Sequence, residues 1–138
     1  MNDQKFLFSL DMKVRDYECD LQGVVNNANY QHYMEHARHE FLESLGENFA
    51  ALHDAGIDAF VYKVSITYKK SLRSGDRFTS AINCRKKGVK LIFDQYILFP
   101  DGTVSAQGEI ETVAVQNGVI TRGEVFDNLL KGLDTSEK

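Results

Sequence analysis

The chain has 138 residues, 43% of them hydrophobic and 26% charged, with 16 Lys and Arg against 20 Asp and Glu for a net charge of -4. That describes one globular domain over 1–138, with enough chain for a sizeable core and none for a separate cofactor domain, and it excludes a disordered or fibrous class. The negative balance excludes general attraction to nucleic acid or to an acidic membrane, so a polyanionic ligand has to meet a local basic patch.

The apolar runs are strand-sized, and the opening Met1-Asn2-Asp3-Gln4-Lys5 lacks the basic and then apolar order of a secretory signal; the cytoplasm is the expected location, with no membrane span. Cys19 and Cys84 are too few for a disulfide framework and have no paired metal spacing, which points to reduced thiols.

In chain order, Phe6, Phe8, Leu10, Met12 and Val14 alternate with more polar neighbours, the period of a strand with one buried face. From 28 to 45 the period changes. Tyr30, Met34, Ala37, Phe41 and Leu45 recur every three or four residues as one apolar stripe of a helix that Gly46 can end. Phe49, Leu52 and Gly56 suggest a shorter helix over 47–55.

Strands follow. Phe60, Tyr62, Val64, Ile66 and Tyr68 alternate, and Phe78, Ser80, Ile82 and Cys84 do so after the Ser74-Gly75-Asp76 turn. Runs over 89–99 and 103–115 flank Pro100-Asp101-Gly102, so consecutive hairpins are expected at the two turn signals. Asn117-Gly118 predicts one more reversal before Val119 and Ile120. Phe126, Leu129, Leu130 and Leu133 predict a short terminal helix with 134–138 frayed beyond it. One long helix and a largely antiparallel sheet make an α+β layout in which the helix buries its stripe against the sheet.

Asp20-Leu21-Gln22-Gly23 sets a carboxylate and a glycine turn before the long helix. A carboxylate can attack a carbonyl or deprotonate a water, and free N–H groups at a helix start can hold the resulting oxyanion, so both halves of an acyl-transfer site lie in one short stretch. The plainer alternative is that Asp20 caps a turn and Asn27 caps a helix. Cys19 lacks an adjacent base, and Glu18 and Asp20 oppose its thiolate. His32, His36 and His39 share a helical spacing that could bind a metal, but no carboxylate or cysteine set completes such a site, and a polar face with Glu35, Arg38, Glu40 and Glu43 is favoured; no metal or cofactor is expected. Without a Gly-x-Ser-x-Gly segment, the serine-hydrolase route lacks its nucleophile turn. Glu35 could orient a group near Asp20 or simply face solvent or an interface. Gly108 within a strand marks either a close approach or a bulge.

Asp20-Leu21-Gln22-Gly23-Val24-Val25 resembles the Asp-x-x-Gly-Val-Val signature of hotdog-fold acyl thioesterases in the 4-hydroxybenzoyl-CoA thioesterase superfamily. The longer stretch from Met12 to Glu18, then Val24-Val25-Asn26-Asn27-Ala28 and Arg38-His39-Glu40-Phe41, is most similar to the plant-type acyl-ACP/acyl-CoA branch. The resemblance implies a long helix wrapped by an antiparallel sheet and a homodimer, or a dimer of dimers, with sheets joined edge to edge and active sites at the dimer interface. It also implies hydrolysis of an acyl-CoA or acyl carrier protein thioester with Asp20 as nucleophile or general base, Gly23 at the turn and the Asn27 N–H on the oxyanion. Many bacterial relatives have a histidine in place of Asn27, so no role of that histidine transfers.

On the same resemblance Val24, Val25, Tyr30, Tyr33 and Met34 surround an apolar acyl group. Arg85, Lys86 and Lys87, with Lys90 behind, meet coenzyme A phosphates or the acidic helix of a carrier protein, unless they only guard a hairpin edge. Arg73 and Arg77 are weaker candidates of the same kind. Two alternatives remain: a hydratase, which would need a His-Phe-Pro-Gly segment that is absent, and a non-catalytic acyl-CoA binding hotdog module.

Overall fold

A computed structural model describes residues 6–46 and 49–137. Its elements are β1 (Phe8–Lys13), α1 (Asn27–Ser44), α2 (Phe49–Asp54), β2 (Ile57–Tyr68), β3 (Arg77–Lys87), β4 (Lys90–Leu98), β5 (Val104–Gln116), β6 (Val119–Ile120) and α3 (Glu124–Glu137), with a 3-10 turn at Asp16–Glu18 after β1. The strands form one antiparallel sheet in the order β1-β3-β4-β5-β2, with β6 beside β5. The α+β layout is as expected from the period changes, and α1 is the helix the sheet wraps.

The core lies between α1 and one face of the sheet. Tyr30, Tyr33, Met34, Ala37 and Phe41 are buried with Phe78 and Ile82 of β3, Phe93 and Ile97 of β4, and Ala106 and Ile110 of β5. Phe41 meets Phe8 and Phe93 at ring separations of 5.6 and 6.5 Å, and Tyr33 meets Phe78 at 4.7 Å. Each such side chain removed from water stabilises by roughly 1.5–3 kcal/mol, which holds the helix to the sheet. Leu45 departs from the predicted stripe. It is the C-cap of α1 and is exposed, because Gly46 (φ +78°) turns the chain away directly after it.

Four further differences from the sequence expectations have physical causes. Ser74-Gly75-Asp76 is a turn but not a hairpin: β2 runs to the far edge of the sheet to pair with β5, while β3 pairs with β1 and β4. The link between them carries Leu72, which is fully buried, so core burial rather than local turn chemistry decides its course. β3 continues to Lys87, so the basic run lies on a strand and the hairpin to β4 turns at Gly88 (φ +63°). A bulge between Val61 and Lys63 breaks the alternation predicted for β2: Val64 and Ile66 pack on the core, whereas Phe60 and Tyr62 are exposed. α3 runs through Glu137, past the expected end at Leu133, and Lys138 lies outside the described residues, as does Glu47 of the predicted short helix.

At Asn117-Gly118 both residues have positive φ, the backbone of the tight hairpin predicted there. Gly108 sits in regular register opposite Ile66 and Gln95, so it marks no bulge. A Cβ there would stand 3.0 Å from Met34 Sδ and 3.2 Å from its Cε, so this glycine makes room for the Met34 side chain between α1 and β5. We therefore expect Gly108→Val to destabilise by about 1–3 kcal/mol, read as a lower urea midpoint at unchanged slope. An unshifted midpoint would mean that Met34 has room to move aside.

Candidate active site

The segment ahead of α1 is built on a buried carboxylate. Glu18 is 7% exposed and accepts hydrogen bonds from the Arg15 backbone N–H (2.9 Å), the Arg15 Nε (3.2 Å) and the Tyr33 hydroxyl (2.8 Å), with Arg15 Nη2 3.1 Å away. Its backbone carbonyl accepts from the Asn29 side-chain amide (2.8 Å) and the Asn26 N–H (3.1 Å). Burial pushes the Glu18 pKa up, but the donors from Arg15 and Tyr33 outweigh it and hold the carboxyl below its ordinary range. Burial and the same carboxylate push the Tyr33 phenol upward, so it stays a donor.

From that anchor the chain makes a loop that returns to the core. Asp20 N–H donates to the Val24 carbonyl (2.9 Å), Gly23 N–H donates to the Asp20 carbonyl (3.0 Å), and Val25 N–H donates to the Leu72 carbonyl (2.9 Å). Gly23 takes φ +80°, which an L side chain adopts at a cost. At the loop tip Asp20 is exposed, and its Oδ1 accepts from the Gln22 N–H at 2.9 Å. Leu21 beside it is fully exposed.

Asn26 caps α1: its side chain accepts from the Ala28 N–H (2.9 Å) and its carbonyl from the Asn29 N–H (2.9 Å). The Asn27 N–H, between them, has no hydrogen-bond partner among the described residues. The expected carboxylate and helix start thus lie at the two ends of one short strap, with Tyr68 of β2 donating its hydroxyl to the Asn27 carbonyl at 3.4 Å.

The other predicted residues fall in different places. Val25, Tyr30 and Met34 are buried core residues in the single chain and Val24 is half-buried; the Tyr30 hydroxyl accepts from the Leu72 N–H at 2.9 Å. The basic run is divided. Arg85 is held by Asp94 (2.8 Å) and Glu109, Lys86 by Asp127 (2.9 Å) with the Arg122 carbonyl at 3.3 Å, and Lys90 by Glu111 (2.8 Å), while Lys87 is exposed. Arg85 and Lys86, adjacent on β3, therefore do not share one phosphate-facing cluster. Burial, then the charges of Asp20, Glu18 and Asp16, push the Cys19 thiol up, which opposes a thiolate nucleophile.

A cleft of about 750 Å³ opens between β1 and the first half of α1, lined by Lys13, Arg15, Tyr17, Glu18, His32 and His36 among others. His39 and Glu35 lie on the opposite flank of α1, 4.0 Å apart. Among the described residues, no three His, Cys, Asp or Glu side chains gather as metal ligands, and no helix is long and apolar enough to cross a membrane. Sequence reasoning set Tyr33 beside an acyl group and Arg38 on a polar helix face, and foresaw neither the bond between Glu18 and Tyr33 nor the burial of Arg38. The available signal was a charge on an apolar stripe: Arg38 stands one turn beyond Met34 and is buried.

Glu18 gives this strap a pH dependence. A carboxyl whose folded pKa is depressed contributes stability that is complete above its ordinary value of 4.5 and is lost as the pH falls through the lower folded value. Wild-type stability should therefore fall on acidification below about pH 4.5 and Glu18→Gln should flatten that fall; equal slopes in denaturation at several pH values would contradict it. Glu18→Ala, which strands the Tyr33 hydroxyl, should cost about 2–3 kcal/mol.

The family model of the Thioesterase-like superfamily matches residues 14–125. The acyl-acyl carrier protein thioesterase ATL3 of Arabidopsis thaliana, a chloroplastic protein, is 41% identical over 91 residues, 64% of this chain and 47% of that one, so the chain spans about half the length of this plant relative. The long-chain acyl-CoA thioesterase FadM of Escherichia coli is 30% identical over 124 residues, covering 86% of this chain and 93% of that one. The crystal structure of a hypothetical protein from Aquifex aeolicus superposes with a TM-score of 0.76 at 30% identity, covering 87% of this chain and 97% of that one.

Proposed function

The chain belongs to the Thioesterase-like superfamily and has its hotdog fold, and from that premise we propose that it hydrolyses fatty acyl thioesters of coenzyme A or acyl carrier protein to a free acid and a thiol. The observation that carries the reading is the strap from Asp20 to Asn27, which bears an exposed carboxylate at one end and at the other a helix start whose Asn27 N–H has no partner among the described residues. The two curated relatives named above are thioesterases of acyl carrier protein and of long-chain acyl-CoA, which supports both carriers.

The chemistry suits these groups. A thiol of pKa near roughly 8.5 leaves as thiolate without the strong protonation an amine requires, so no acid is obligatory. What remains is attack on the carbonyl and stabilisation of its oxyanion. Asp20 serves as direct nucleophile, giving a mixed anhydride that water cleaves, or takes a proton from the attacking water; in either case the Asn27 N–H receives the negative charge, a donor worth on the order of 3 kcal/mol. Gly23 permits the turn that aims Asp20. In this reading the acyl group lies against Val24, which is half-buried, and against Val25, Tyr30 and Met34, which are buried in the single chain. Lys87, and Lys86 if it exchanges Asp127 for a phosphate, remain for the carrier's anionic end.

A second copy completes the site in this reading. β2 has 12 residues, pairs among the described residues with β5 alone, and exposes Phe60, Val61, Tyr62 and Tyr68. Long apolar edges of this kind attract another strand. The expected particle is a homodimer joined along β2, alone or doubled into a tetramer.

A thiol-release assay across acyl-CoA and acyl carrier protein chain lengths tests the reaction. Asp20→Asn should lower turnover by roughly 10²–10⁴-fold, while Asn27→Ala, which keeps the backbone N–H, should cost less. Full turnover in Asp20→Asn would remove Asp20 from the chemistry, and background rates for both proteins would identify a non-catalytic acyl-CoA binder. Sedimentation should give twice the chain mass or a multiple of it; a fully active monomer would contradict the shared site.

A further inference from the structure

On the flank of α1 facing the first half of β2 lies a second cavity of about 400 Å³. Its walls are largely apolar, from Leu42, Ile57, Ala59, Val61 and Phe93, and Val61 reaches it because the bulge at Tyr62 resets the alternation of the strand. Arg38 enters this apolar setting at only 8% exposure. Its Nη1 donates to Gln95 Oε1 at 2.9 Å, and Gln95, fully buried, is held by donating its own Nε2 to the Met34 carbonyl at 2.9 Å. The guanidinium also stands 6.0 Å from the Phe93 ring centre.

That is little for a buried cation with five N–H donors. Among the described residues no carboxylate lies within ion-pair distance of it, and Nε and Nη2 make no hydrogen bond. Of the acids at the cavity rim, Asp58 is bonded to His53 at 2.7 Å, and Glu35, 4.0 Å from His39, acts on Arg38 through the longer-range attraction of its charge without a hydrogen bond. A second polar group in the lining is also unused, since the enclosed Thr112 hydroxyl has no partner. A buried charge is retained against its desolvation cost when something of opposite charge reaches it.

We propose that this cavity binds a carboxylate carried on an apolar chain, a free fatty carboxylate by chemical class, with Arg38 Nε and Nη2 gripping the two oxygens and Thr112 as an added donor. The planar guanidinium fork matches a carboxylate with two parallel hydrogen bonds, and the apolar walls take the chain. The acid released in the hydrolysis described above belongs to this class, and that link alone rests on the proposed function. The site itself does not.

Calorimetric titration of sodium octanoate into the protein, with no thioester present, tests the assignment. Octanoate should bind saturably at one per chain, 1-octanol should bind at least tenfold more weakly, and Arg38→Met, checked for folding by its melting transition, should weaken octanoate at least tenfold. Arg38→Lys, which keeps the charge without the fork, should fall between. If Arg38→Met fails to fold, octanol against octanoate on the wild-type chain and the Arg38→Lys value still decide. Equal binding of the alcohol and the acid, undiminished binding by an Arg38 variant, or no octanoate binding would each overturn the site. Because no turnover is read, an Arg38-dependent octanoate isotherm in a protein without hydrolase activity would leave the site standing and sink the reaction alone.

Discussion

The buried hydrogen bond between the Glu18 carboxylate and the Tyr33 hydroxyl, 2.8 Å long, is the constraint on which the candidate site depends. Tyr33 is buried on the core side of α1, its ring packed at a tilt against Phe78, and its hydroxyl is directed to Glu18. Glu18 is itself compensated by two hydrogen bonds from Arg15 and the approach of the Arg15 Nη2 to 3.1 Å. Its backbone carbonyl then gathers Asn26 and Asn29. A single residue thereby joins the end of β1, the loop of Asp20 and the start of α1. The loop can present an exposed acid because its base is tied to α1, whose inner face is buried; positioning on this scale depends on a rigid supporting shell more than on the reacting group itself.

The two flanks of α1 differ in kind. Toward β1 the cleft is polar, with Lys13, Arg15, His32 and His36 near its mouth. Toward β2 the cavity has apolar walls around Arg38 and Thr112, with Glu35, His39 and Asp58 at its rim. Between the two flanks, Gly108 leaves the space that the Met34 side chain fills under the middle of α1. A polar cleft can stay filled with water at little cost, whereas an apolar one holding a lone guanidinium gains by taking up an amphiphilic anion.

Period and turn chemistry were enough to read most elements. The switch from alternation to a three-to-four repeat located α1, and Asn117-Gly118 adopted the two positive φ angles its composition requires. Where local signals misled, a long-range term had won. Ser74-Gly75-Asp76 reads as a hairpin because its residues turn well, but the strand before it is committed to β5 by burial of Val64 and Ile66. The bulge at Tyr62 has no composition signal, since Tyr and Val suit either face of a strand, and only the register with Thr112 and Glu111 reveals it. The basic run Arg85-Lys86-Lys87 looks continuous in one dimension. On a strand its members alternate faces, and Asp94 and Glu109 on one side and Asp127 on the other claim them separately. Glu18 lies within the motif stretch, but its buried partner is Tyr33, fifteen residues away on another element.

The bulge ties the edge of the sheet to the cavity behind it. Before Tyr62, Ala59 and Val61 face the α1 side; after it, Val64 and Ile66 do. A regular β2 would turn Val61 outward and bring Phe60 and Tyr62 in, filling the space beside Arg38 with aromatic rings. The extra residue instead leaves Phe60 and Tyr62 on the outer face, where Lys90 stands 4.6 Å over the Tyr62 ring, and leaves smaller side chains around the guanidinium. One local departure from strand geometry thus keeps a charged cavity open and at the same time displays aromatic surface along an unpaired edge. A second strand laid against β2 would cover that edge and roof the cavity, so that access to Arg38 and closure of the sheet become the same structural event.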